Sequence, residues 1–305
     1  MLNHNTFQKV ALLWEDDKKQ YVKRSTLSIY SIHLRTHLIP AFGTRTSISE
    51  SDVQSFVNMR LADGLNPKTV KDILMILKMI LRYAARYHGW EFPPMDIHFP
   101  PARVKPGLQV LSLVQQRRLM QYLSHHPNLY NMGIALSLGT GLRIGEICAL
   151  TWEDVDLGAG VLRVTKTLQR IYLGHRQTEL IVDTPKTSNS YREIPLSATL
   201  VAMLRSQKGN SKPRDYVLTG GPQPIEPGPY RAYFQKLMRS LDFPPICFHG
   251  LRHSFATRCI ESNCDYKTVS ALLGHASINT TLNLYVHPGF EQKKRCVNRA
   301  AKGLM

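Results

Sequence analysis

The first ninety residues alternate between apolar and polar positions with a helical period. The stretch STLSIYSIHLRTHLIPAFG sets Leu27, Tyr30, Leu34 and Leu38 on one stripe, with Ser25 as N-cap and Pro40 as the predicted stop. SESDVQSFVNMRLADG predicts a shorter helix that ends at Gly64. NPKTVKDILMILKMILRYAARYHG opens with Asn66 as cap and Pro67 at the first helical position, and closes at Gly89. Its run Ile73, Leu74, Ile76, Leu77, Ile80 and Leu81 reads as apolar on nearly every side, the mark of a central bundle helix.

EFPPMDIHFPPARVKPG then interrupts the helical period with Pro93, Pro94, Pro100, Pro101 and Pro106, which favour an extended tether. The chain therefore divides into a helical domain over 1–91, a proline-rich linker over 92–108 and a second domain over 109–305. The second domain opens with LSLVQQRRLMQYL, where Ser112 and Gln115 have capping-box spacing. An apolar helix follows around Met132 to Leu138, then the turn GTG, then a helix from about Arg143. GVLRVTKTLQRIYL, TELIVDTP and YREIPL alternate and are rich in Val, Ile and Thr, which predicts a small antiparallel sheet. Helical patterns resume at GPYRAYFQKLMRSL. The fold class is mostly α with a small antiparallel β-sheet in the second domain, an α+β arrangement.

Charge changes the picture. A formal net charge of +17 over 305 residues suits a polyanionic partner, because each phosphate neutralised releases counterions. Lys23, Arg24, Lys68, Lys71 and Lys78 are candidates for a DNA-facing surface, although any solvated helix face carries such residues. No apolar run reaches the length of a membrane span, and the start MLNHNTFQKVALLWEDDKKQ lacks a secretion signal, so a cytoplasmic protein without a membrane partner is expected. Cys148, Cys247, Cys259, Cys264 and Cys296 are odd in number without CxxC spacing, which reads as free, mostly buried thiols in a reducing compartment.

Four segments carry the chemistry. TGLRIGE puts Arg143 just after a glycine turn, with Glu146 one helical turn on and able to orient it. DTPKTSNSYREIPL puts Lys186 in a predicted hairpin connection, with Lys166 as a rival lysine. FHGLRHSFATR sets His249 and Arg252 three apart on one helical face, while Leu251, Phe255 and Cys259 form an anchoring apolar stripe and His253 reads as a packed histidine. LLGHASINTTLNLY ends a helix at Gly274, presents His275 in the turn and starts another helix at Ser277 or Asn279 that carries Tyr285.

Zinc-type ligand spacing and nucleotide-binding glycine loops are both missing, so no metal or nucleotide cofactor is expected. An anion grip fits better. Two arginines donate forked hydrogen bonds to the non-bridging oxygens of one phosphodiester, and histidines add donors. A lysine serves as acid at a leaving oxygen, and a tyrosine among cations serves as nucleophile. Tyr191 and Tyr230 compete with Tyr285 for that role on residue type alone.

These segments resemble those of the tyrosine site-specific recombinases, the phage integrase family, and most resemble integrases of phages and conjugative transposons. The resemblance covers about residues 110–290, and the helical amino-terminal part is similar to the family's SAM-like core-binding domain. Arg143, Lys186, His249, Arg252, His275 and Tyr285 match the family's arginine, lysine, His-x-x-Arg box, second histidine and tyrosine in order and local context.

The resemblance implies a C-shaped clamp on double-stranded DNA and attack by Tyr285 to leave a 3′-phosphotyrosyl link. Arg143 and Arg252 bind the phosphate oxygens, Lys186 protonates the leaving 5′ oxygen, His249 assists proton transfer and His275 holds the phosphate. It further implies four protomers, two per recombination site, that exchange duplexes through a Holliday junction to integrate, excise or invert a mobile element. Accessory DNA-bending proteins and a nucleoid-associated bacterial location go with that picture. The tail HPGFEQKKRCVNRAAKGL reads as a basic helix able to dock on a neighbouring protomer. Two alternatives share the fold: a type IB topoisomerase that only relaxes DNA, and a non-catalytic DNA-binding protein.

Overall fold

The computed structural model describes residues 5–101, 109–174, 177–184 and 191–285, the last three as backbone only, and positions 294, 297, 298 and 301 of the tail. The chain is mostly helical with small antiparallel sheets. It divides into two compact units, Met1–Lys105 with Arg170–Leu180, and Pro106–Gln169 with Ile181–Met305.

The first unit is a helical bundle. Helix α1 (Phe7–Lys18) is followed by α2 (Arg24–His33), a π-turn over Leu34–Leu38 and α3 (Ile39–Phe42). Pro40 does not stop the helix as the sequence predicts. A proline lacks the N–H that α-pairing needs and its ring clashes with the carbonyl four residues back, and the wider π-turn just before it accommodates both defects. Lys23, not Ser25, occupies the N-cap position of α2, and Ser25 is buried.

Helix α4 (Glu50–Ala62) begins with a reciprocal capping box between Ser49 and Asp52. Helix α5 (Pro67–His88) starts and stops as its sequence predicts: Asn66 Oδ1 accepts from Lys68 N at 2.9 Å, and Gly89 takes a left-handed φ of 69°. It is not apolar all round. Ile73, Ile76, Leu77 and Ile80 are buried against α1 and α4, while Lys71, Met75, Arg82 and Arg86 face outward.

After α5 the proline-rich segment packs rather than hanging free. Met95, Ile97 and Phe99 alternate inward onto the first unit's core, as an extended chain with a two-residue period allows. The Gln54 carboxamide pairs with both backbone groups of His98, at 2.9 and 3.2 Å, so one side chain does the work of a neighbouring strand.

In the second unit, α6 (Leu113–His125) carries the predicted Ser112–Gln115 capping box. Helix α7 (Leu129–Thr140), not α5, is the helix buried on nearly every side. Helix α8 (Ile144–Ala149) follows at once. The β residues form two sheets instead of one. Strands β1 (Val155–Asp156), β2 (Val161–Val164) and β5 (Arg192–Pro195) make an antiparallel sheet in the order β1-β2-β5, whereas β3 (Thr167–Gly174) and β4 (Gln177–Asp183) pair separately. Ser28 Oγ accepts from Tyr172 N at 2.7 Å, within the part of this hairpin that belongs to the first unit. Lys186, expected in a hairpin connection, falls outside the described residues.

Helices α9 (Ala198–Lys208), α10 (Pro227–Ser240), α11 (His249–Glu261), α12 (Tyr266–Leu273) and α13 (Ile278–Tyr285) complete the unit. The thiols depart from expectation. Cys148 is buried and Cys259 half-buried, but Cys247 and Cys264 are exposed, one in the turn before α11 and the other just past it.

Candidate active site

The site is organised by the C-terminus of α12. A helix leaves its last carbonyls without intrahelical partners, and these ends attract cations. Here Gly274 takes a left-handed φ of 64°, and a Schellman closure uses the Ala271 and Ser270 carbonyls through Gly274 N at 3.0 Å and His275 N at 3.1 Å. The next three carbonyls point to three arginines. Leu272 O accepts from Arg192 Nε at 2.7 Å, Leu273 O from Arg252 Nη2 at 2.6 Å, and Gly274 O from Arg143 Nη2 at 3.3 Å.

Each arginine arrives from a different element. Arg143 is the N-cap residue of α8, delivered by the turn at Gly141. Only glycine suits position 141: its φ is 72°, and an added Cβ would lie 2.7 Å from both Leu273 and Phe255. That close approach brings the turn against α11 and α12, and Gly141 O accepts the second arm of Arg252 at 2.8 Å. Arg252 projects from α11 and is 1% exposed. Arg192 stands on β5 opposite Val164, so register places it on the inward face with Leu162 and Ile194.

Glu146 joins two of the three. Its Oε2 accepts from Arg143 N at 2.8 Å and its Oε1 from Arg143 Nη1 at 2.8 Å. From the other side Arg192 donates to both oxygens, at 3.1 and 2.9 Å. Burial by itself pushes this carboxyl up; the Arg192 hydrogen bonds and charge, then Arg143, outweigh burial and hold it below the usual carboxylate range.

The histidines sit on the same rim. His275 Nδ1 is hydrogen-bonded to the buried Thr281 hydroxyl at 2.8 Å, which fixes the ring across the α12–α13 turn. Burial, then the charges of Arg252, Arg143 and Arg192, lower its pKa to about 4. His249 is exposed at the surface and meets the His253 ring at 4.6 Å, edge to face. The protein packed around it, then His253, Arg252 and Arg143, hold its pKa down to about 4. His253 is half-buried on α11, and its pKa too is lowered, by burial and then by Arg252. Both imidazoles of the rim are therefore neutral near pH 7.

Comparison with known proteins decides the family. The profile of the phage integrase family matches residues 109–292, and that of the phage integrase N-terminal SAM-like domain matches 6–59. The chain belongs to the phage integrase family. As a member it is a tyrosine site-specific recombinase, an enzyme that transfers DNA strands. A tyrosine recombinase XerC-like protein of Caldanaerobacter subterraneus is 27% identical over 303 residues, spanning 90% of this chain and 77% of the relative. The ICEBs1 integrase of Bacillus subtilis is 25% identical over 259 residues, spanning 78% and 68%. Among solved structures, the Tn1549 transposon integrase in complex with circular intermediate DNA superposes with a TM-score of 0.78 at 23% identity, covering 95% of this chain and 99% of that one. A lambda integrase tetramer bound to a Holliday junction superposes with a TM-score of 0.66 at 18% identity, covering 93% and 78%.

Within this integrase fold, Arg143, His249, Arg252 and His275 come together around the Gly141 and Gly274 turns, with Glu146 behind Arg143. Tyr285 ends α13, whose first turn supplies Thr281, but its side chain, like Lys186, lies outside the described residues. The rival lysine is otherwise engaged: Lys166 Nζ reaches Thr151 Oγ1 at 2.8 Å, Asp154 at 3.0 Å and Glu153 at 3.2 Å.

The candidate DNA-facing residues belong to the first unit. Arg24 pairs with Glu179, Lys68 with Asp72 at 3.3 Å, Lys71 lies 4.8 Å over the Phe99 ring, and Lys78 reaches Met95 O at 3.5 Å. Lys23 serves as the α2 N-cap residue. The tail after Tyr285 falls largely outside the described residues, as does Cys296.

Sequence reasoning missed Arg192 and Thr281. The signal for Arg192 was its strand parity with Ile194, which puts an arginine on a core face. For Thr281 no residue-type signal sets it apart from Thr280 beside it.

Proposed function

We propose that strand transfer in this chain runs through Tyr285 as nucleophile and a 3′-phosphotyrosyl intermediate, with Arg143 and Arg252 gripping the two non-bridging oxygens of the scissile phosphate. The observation that carries this reading is the convergence of both guanidinium groups on consecutive carbonyls, Leu273 and Gly274. Groups so anchored gather positive charge at the Gly274 turn before a phosphodiester arrives. Neutral His249 is suited to move a proton, and neutral His275, held by Thr281, to donate to the phosphate. Lys186 is assigned the leaving 5′ oxygen, because Lys166 is committed to its carboxylates.

Cleavage conserves bond energy in the phosphotyrosine: the tyrosyl oxygen bonds to phosphorus, the 5′ oxygen departs and takes a proton, and a second 5′ hydroxyl reverses the step. The partner is duplex DNA carrying a recombination site, and the working assembly is four protomers passing through a Holliday junction, in a soluble nucleoid-associated setting. The lambda integrase tetramer on such a junction supports this assembly by likeness of fold.

The test is a duplex nicked beside the cleavage site, so that the released fragment escapes religation. A covalent protein–DNA adduct should accumulate and survive added EDTA, and Tyr285→Phe should abolish it while duplex binding persists. An adduct that persists in Tyr285→Phe, or one that disappears in chelator, contradicts the proposal.

A further inference from the structure

We infer that Arg192 is a positioning residue for this reaction: it supplies the counter-charge to Glu146 that leaves the charge of Arg143 available to the phosphate. The inference rests on the assignment of Arg143 above. Glu146 is 5% exposed and holds Arg143 through both its backbone N–H and its Nη1, which orients the guanidinium but also offsets its charge. Arg192 meets the same carboxylate with two donors on the far side, and its own side chain is 5% exposed. Among the described residues of the cluster, Arg143, Arg192 and Arg252 surround the Glu146 carboxylate, and both oxygens of Glu146 are shared. Its Nε also ties Leu272 O, so the same residue fixes the helix end on which Arg143 and Arg252 rest.

A lone carboxylate beside Arg143 would compete with the phosphate for it. A carboxylate already bound by Arg192 acts as a pivot that sets direction and leaves net positive charge. Two effects therefore separate. If Arg192 serves only to hold the fold, removing Glu146 as well does further harm. If it serves as counter-charge, removing Glu146 restores function, because the competing anion goes with it.

The experiment compares wild type, Arg192→Met, Arg192→Lys and the double variant Arg192→Met/Glu146→Gln, which removes both members of the buried Arg192–Glu146 pair together. Adduct formation on the nicked duplex is measured beside duplex affinity. Arg192→Met should lower the adduct rate about a hundredfold with duplex affinity nearly unchanged, Arg192→Lys should fall between, and the double variant should recover to within about tenfold of wild type.

A second arm omits Tyr285: protection of the folded protein by inorganic sulfate, against chloride at equal ionic strength, should weaken in Arg192→Met and return in the double variant. A double variant no better than Arg192→Met in both arms overturns the inference, as does an Arg192→Met that matches wild type. Correct sulfate ordering without any wild-type adduct would sustain the role of Arg192 and sink that of Tyr285.

Discussion

Glu15 and Glu146 are both buried carboxylates met by forked arginines, yet they serve opposite ends. In the first unit Glu15 takes Arg35 at 2.7 and 2.8 Å, together with the Ser31 hydroxyl. Burial pushes its carboxyl up, and the Arg35 and Ser31 hydrogen bonds more than reverse this. One cation meets one anion, and the pair fastens α1 to the turn after α2. In the second unit Glu146 meets Arg143 and Arg192 while Arg252 stands next to them on the α12 carbonyls. The first arrangement cancels charge and holds a fold; the second leaves charge over and positions it. A buried ion pair becomes a candidate anion site when its arginines outnumber its carboxylates.

Mutation should break the two regions differently. The largest effect is expected from Arg143→Ala, which should cut adduct formation about a thousandfold, as loss of a preorganised charge donor does, while the melting temperature changes little. Glu15→Ala should do the reverse. It strands a partly exposed Arg35 and should cost about 2 kcal/mol in denaturant unfolding, with the adduct rate per folded molecule within about twofold of wild type. A large loss of cleavage in Glu15→Ala would erase the distinction between the two carboxylates.

Thr281→Val tests a finer element, since it keeps shape and removes the partner of His275 Nδ1. It should slow adduct formation roughly tenfold without weakening duplex binding.

pH dependence tests the histidines of the second unit. His249 and His275 sit at about 4 in the folded chain, below the ordinary 6.5. Between those values the unfolded chain binds protons that the folded chain refuses, so stability present at pH 7 should be lost progressively as pH falls from about 6.5 towards 4. Thermal melts across that range should show the decline, and His275→Gln should flatten it. A melting temperature that rises on acidification would contradict neutral histidines in the folded chain.

Much of this was legible in the residues. Caps and glycine stops placed α5 and α6 because they act within four residues of chain, and Asn66, Ser112 and Gly89 all perform the expected local bonds. Arg143 and His275 were legible because each lies beside a turn signal, Gly141 or Gly274.

What escaped depended on distant partners. Pro40 reads as a stop, but tertiary packing of Leu34 and Leu38 carries the helix through it by a π-turn. The apolar run of α5 leaves an outward face, while the less conspicuous α7 is enclosed by α6, α9 and α11. The β segments look like one sheet because alternation shows which face a residue takes and not which strand it pairs with. Arg192 has no local motif at all; its role exists only where β5, α8 and α12 meet.

The central claim is that two guanidinium groups serve one phosphate. The direct measurement is a crystal structure of Tyr285→Phe on an intact recombination-site duplex. The account predicts Arg143 and Arg252 within hydrogen-bond distance of the two non-bridging oxygens of the same phosphodiester, with the substituted ring at position 285 facing its phosphorus. Arginines bound to different phosphates, or still on the α12 carbonyls with DNA elsewhere, would contradict it.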